Sequence, residues 1–69
     1  MSRYQVVKSS NLEKDPNKGV FTDFSRADVT VLDTVTGKTA SATGHAVHGT
    51  GSVERATKEA VDHAVQKLK

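Results

Sequence analysis

Sixty-nine residues leave room for one small domain spanning residues 1–69, and ten Lys and Arg against eight Asp and Glu give a net charge of only +2. The basic residues are scattered from Arg3 to Lys69 with acids interleaved, not clustered as on a nucleic-acid-binding face. With no cysteine there is no disulfide staple or thiolate metal site, and no apolar run reaches the roughly 20 residues that cross a bilayer.

The N-terminal stretch MSRYQVVKSS lacks the apolar core of a signal peptide, so a cytoplasmic protein without membrane contact is expected. Tyr4 to Lys8 is β-prone and predicts a first strand, but adjacent Val6 and Val7 leave its inward face undecided. Residues 9–19, SSNLEKDPNKG, are dense in turn formers and predict a flexible surface loop, in which Leu12 is the only large apolar side chain. Long loops also serve as binding loops, which is the alternative here. Val20 to Phe24 suggests a short strand. The odd spacing of Phe21 and Phe24 then calls for a bulge, or for a bend at Ser25-Arg26.

The centre has a clearer pattern. Val29 and Val31 alternate with Asp28, Thr30 and Leu32, as in a half-buried strand. Beyond Thr36-Gly37, Ala40, Ala42, Gly44 and Ala46 alternate with Thr39, Ser41, Thr43 and His45. A two-residue turn at Thr36-Gly37 would set Val31 opposite Ala42 and Val29 opposite Gly44. A four-residue loop, Thr34 to Gly37, shifts those pairs by two and keeps the parity. Either hairpin places the valines and small residues on one face. Thr30, Leu32, Ser41, Thr43 and His45 take the other, a polar surface that faces a candidate partner.

Residues 52–68 form the strongest pattern, an amphipathic helix. Val53, Ala56, Ala60, Val61, Ala64, Val65 and Leu68 recur at helical spacing, opposite Arg55, Lys58, Glu59, Asp62, His63 and Gln66. Ser52 is the expected N-cap; Glu54 and Lys67 suit the helix dipole. Ala56, Ala60 and Ala64 make a narrow ridge, and Val61, Val65 and Leu68 a bulky one. The narrow ridge matches the small-residue face of the hairpin. The expected fold is α+β: a small antiparallel sheet of three to four strands with one C-terminal helix packed on one face.

Few residues suggest chemistry. Val35-Thr36-Gly37-Lys38-Thr39 contains the tail of a P-loop, but Leu32 stands where the first glycine belongs, so a hairpin turn is the reading. His45, His48 and His63 lack the spacing of a metal site, and no nucleophile context or aromatic platform is evident, so neither metal nor cofactor is expected. Gly49, Thr50, Gly51 and Ser52, with Arg55 one turn on, are a candidate anion-binding connection at a helix N-terminus, against an ordinary capped turn. The order hairpin, glycine-containing loop, alanine-rich helix is similar to the C-terminal half of double-stranded RNA-binding domains, a resemblance that implies phosphate contacts at the helix start. Val53, Glu54 and Arg55 stand where those domains carry lysines, with Lys58 a turn later, and the N-terminal helix has no counterpart.

These features lead to a non-enzymatic regulatory or adaptor protein that binds a protein partner through its exposed sheet face or loop. The alternative is a nucleic-acid or nucleotide-phosphate module using the 49–52 connection. A core this small also predicts a homodimer, formed through sheet faces or edges.

Overall fold

The computed structural model describes residues 3–14 and 23–69. Its elements are β1 (Tyr4–Leu12), β2 (Phe24–Asp33), β3 (Thr39–Val47) and α1 (Ser52–Leu68). The three strands form one antiparallel sheet in the order β1-β2-β3. No helix among the described residues is long and apolar enough to cross a membrane.

The period-two pattern of β2 becomes an alternation of burial. Ser25, Ala27, Val29, Val31 and Asp33 are buried, and the residues between them are half-buried. Pairing runs without interruption from Phe24 opposite Val47 to Leu32 opposite Thr39. The expected irregularity at Ser25-Arg26 is therefore not there, because Phe24 sits on the face opposite the core and inward-pointing Ser25 is held by hydrogen bonds. Of the expected strand Val20 to Phe24, residues 20–22 lie outside the described residues, Asp23 is not in a strand, and Phe24 opens β2.

The connection from β2 to β3 is the four-residue alternative. Asp33 N–H donates to the Lys38 carbonyl at 2.8 Å, and Gly37, at φ 77°, donates its N–H to the Asp33 carbonyl at 2.8 Å. Val29 thus lies opposite Ala42, Val31 opposite Ala40, and Ala27 opposite Gly44. Glycine supplies the left-handed backbone that closes the turn.

β1 differs most from expectation. It continues to Leu12, so Ser9 to Leu12 belong to a strand, not a loop. Ser9, Ser10, Asn11 and Leu12 lie opposite Val29, Asp28, Ala27 and Arg26. A ten-residue β2 offers a long template, and pairing along it outweighs the weak strand preference of Ser-Ser-Asn. Glu13 and Lys14 follow as a bend, and residues 15–19 of the expected loop lie outside the described residues. A bulge between Val6 and Lys8 resolves the adjacent valines: Val6 pairs with Val31, Lys8 with Thr30, and Val7 is the extra residue.

The core is Val29, Val31 and Ala42 against Ala60 and Ala64 of α1, flanked by half-buried Tyr4, Val61, Val65 and Leu68. Ala56, Ala60 and Ala64 have no exposed surface. The closest approach of helix and sheet is at Gly44. A Cβ there would overlap the Ala56 carbonyl oxygen and lie 2.6 Å from the Ala60 amide nitrogen.

The start of α1 corrects the expected cap. Gly51, at φ 74°, occupies the N-cap position, with no side-chain hydrogen bond to the first-turn amides. The Ser52 hydroxyl instead lies 2.7 Å from that of Ser25, which is 2.7 Å from the Glu13 carbonyl oxygen it donates to. Both serines are buried, so this contact joins β2 to the helix start and satisfies two groups otherwise costly to desolvate.

Candidate functional site

In an antiparallel ladder paired residues share a face, so register alone assigns the second sheet surface. Thr30 lies opposite Ser41, Leu32 opposite Thr39, Asp28 opposite Thr43 and Arg26 opposite His45. All five residues expected to face a partner, Thr30, Leu32, Ser41, Thr43 and His45, therefore fall on one surface. No described element packs over it. Its side chains are tied to one another: Thr30 Oγ1 lies 2.8 Å from Ser41 Oγ, and Thr43 Oγ1 donates to Asp28 Oδ1 at 2.6 Å. Arg26 Nε lies 3.3 Å from Asp28 Oδ2. These links preset the rotamers of a hydroxyl-rich surface and lower the entropy lost when a second molecule orders it.

An open groove of about 570 Å³ runs along this surface, lined by Lys8, Ser10, Asp28, Thr30, Ser41 and Thr43. Lys67 closes one side, its Nζ donating to the Ser41 carbonyl oxygen at 2.7 Å. Two ammonium groups, one carboxylate and four hydroxyls line the groove, so it offers donors and acceptors of both signs. Such a lining suits a polar peptide surface. Ser10 reaches it only because β1 extends past Lys8, the expected strand end.

The glycine-containing connection is arranged differently. Gly49, Thr50, Gly51 and Ser52 lie together before α1, but the Arg55 guanidinium turns back onto carbonyl oxygens. Its Nη1 donates to Thr50 O at 3.0 Å and its Nη2 to Val47 O at 3.4 Å. A Cβ at Gly51 would have Arg55 Nη1 3.5 Å away and the Glu54 carboxylate 3.8 Å away, so the cation beside this connection has an acidic group next to it as well as the two carbonyls. Among the described residues no group of three or more His, Cys, Asp or Glu is placed to hold a metal ion.

A polar centre that sequence reading missed lies at the end of the sheet. Asp33 has no exposed side-chain surface, and its carboxylate accepts from Arg3 Nε at 3.1 Å and Arg3 Nη2 at 3.0 Å. It also accepts the Val35 N–H at 2.9 Å and the Thr36 N–H at 3.3 Å. The Thr34 N–H and hydroxyl both donate to the Arg3 carbonyl at 2.8 Å. One carboxylate thus fixes the hairpin loop and the start of β1 together. The only local signal was an Asp opening a turn, where its side chain bonds the following amides.

The Arg3 hydrogen bonds lower the Asp33 pKa to about 2; burial opposes them and the two loop amides assist. The ordinary value is about 3.9. Because the folded value is the lower one, the stabilisation is complete above about pH 4 and is lost as pH falls towards 2. Urea denaturation at stepped pH should show wild-type stability falling between pH 4 and 2. Asp33→Asn should start less stable at pH 7 and lose less over that interval. Equal slopes would show that Asp33 does not carry the acid sensitivity.

No known protein family, curated protein or solved structure matches this chain. The functional reading therefore rests on the geometry.

Proposed function

We propose that this chain is a non-enzymatic binding module, a small regulatory or adaptor protein of the cytoplasm. In this reading the amphipathic helix packs on one face of the sheet and leaves the other to a protein partner. The observation that carries it is the groove bordered by Lys8, Asp28, Ser41 and Thr43 on a surface that no described element covers. Mixed charge and preset hydroxyls favour a polar protein surface over a polyanion, which would meet Asp28 beside both lysines.

The alternative, a nucleic-acid or nucleotide-phosphate binder at Gly49–Ser52, has less support, since Arg55 is engaged with carbonyl oxygens. Capture from native lysate separates the two readings. Wild-type bait and a Thr43→Arg bait are compared with and without nuclease, after circular dichroism shows both folded. Thr43 is exposed, so the substitution changes the surface and not the core. A protein retained by wild type after nuclease, and reduced at least tenfold by Thr43→Arg, is the expected result. Capture that Thr43→Arg leaves unchanged would overturn the assignment to this face. Capture that nuclease abolishes would favour the alternative.

A further inference from the structure

A three-stranded sheet has two edges, and this one treats them differently. Alternate residues of an antiparallel strand turn their backbone groups to opposite sides. The bonds from Asp33 N–H to Lys38 O and from Thr34 N–H to Arg3 O set the phase. In β3, Thr39, Ser41, Thr43, His45 and Val47 face away from β2. Helix side chains reach three of these: Lys67 bonds Ser41 O at 2.7 Å, Arg55 bonds Val47 O at 3.4 Å, and Glu59 Oε1 accepts the His45 N–H at 3.5 Å. The β3 edge is thus blunted by the flank of α1.

Among the described residues the β1 edge has no such cover. The same phase, carried across the bulge, turns the backbone groups of Val6, Ser9 and Asn11 away from β2. No described element lies beyond them, and every residue from Gln5 to Leu12 is exposed. Natural edges are protected by charge, proline or a covering element. Within β1 the only charge is Lys8, which belongs to the other face beside the groove.

We propose that β1 is the strand through which two copies of this chain pair, antiparallel about a two-fold axis, into one six-stranded sheet. Three observations select a second copy as the occupant. Pairing Val6 with Ser9 of the second copy, and Ser9 with its Val6, matches outward backbone groups on both strands. It also sets Lys8 opposite Val7, so like charges do not meet. On the helix side, Val6 is 45% exposed although its neighbour Val31 is 1% exposed. Half-buried Val61, Val65 and Leu68 flank the core on that same side of the sheet, and a second β1 brings its own Val6 to that side, opposite Ser9. The pairing leaves the groove face of each copy open, so it stands independently of the binding role proposed above.

Sedimentation equilibrium over a hundredfold concentration range tests the pairing with wild type, Ser9→Pro and Leu32→Lys. The Ser9 N–H points outward, so proline there removes an edge donor and no ladder bond to β2. Expected is a monomer–dimer equilibrium that Ser9→Pro weakens at least tenfold and Leu32→Lys, on the groove face, leaves unchanged. A single-chain mass throughout overturns the proposal, as does a dimer that only Leu32→Lys dissociates. Should Ser9→Pro fail to fold, hydrogen exchange of wild type decides. Protection at the Val6, Ser9 and Asn11 amides must rise with concentration, and constant protection overturns the pairing.

Discussion

Gly44→Ala is expected to cost about 3 kcal/mol or more, a large share of the stability a domain of this size has. The added methyl runs into the backbone of α1, at the Ala56 carbonyl oxygen and the Ala60 amide nitrogen. Neither can rotate away as a side chain would. The helix must lift off the sheet, and the Ala42, Ala60 and Ala64 contacts go with it. Ordinary overpacking costs about 1–3 kcal/mol because side chains share the strain. Replacing glycine also restricts the unfolded chain, a stabilising effect of only about 0.4–1 kcal/mol. A domain of this length has roughly 3–10 kcal/mol in total, so the loss takes a large share. The urea midpoint of Gly44→Ala measures it directly. A midpoint equal to wild type would mean that α1 does not press on β3 at this point.

Gly44 also shows what sequence reading can and cannot reach. Its place among Ala40, Ala42 and Ala46 is a period-two pattern, and that parity alone put Val29, Val31, Ala42 and Gly44 on one face of the hairpin and Thr30, Ser41 and Thr43 on the other. The limits of α1 were legible for a similar reason, since seventeen residues give the helical period many repeats. Features that depend on a partner distant in the chain were hidden. Ser9 to Leu12 have the composition of a loop and become strand only because β2 lies beside them. Ser52 is a good cap by type, yet Ser25, 27 positions earlier, takes its hydroxyl. Arg3 and Asp33 are 30 residues apart, and nothing local to either announces the pair. The candidate groove divides along the same line. Thr30, Ser41 and Thr43 followed from parity, while Lys8 and Ser10 required the β1–β2 register.

Ala60→Leu is the second large effect expected, at about 2–3 kcal/mol, and its comparison with Val65→Leu fixes the rotation of α1. Ala60 has no exposed surface and sits at the Gly44 contact, where helix and strand backbones nearly touch. Three extra carbons find no free volume there, and the cost is overpacking against backbone. Val65 lies on the bulky ridge and is only half-buried. One added methylene at that position extends towards solvent and should cost below about 1 kcal/mol. Combining Ala60→Leu with Gly44→Ala should cost less than the sum, because either substitution alone already lifts the helix from the same place. A double-mutant cycle reads that shortfall as a coupling of about 0.5–3 kcal/mol. Equal costs for Ala60→Leu and Val65→Leu, with no coupling to Gly44, would mean that the alanine ridge does not lie against β3.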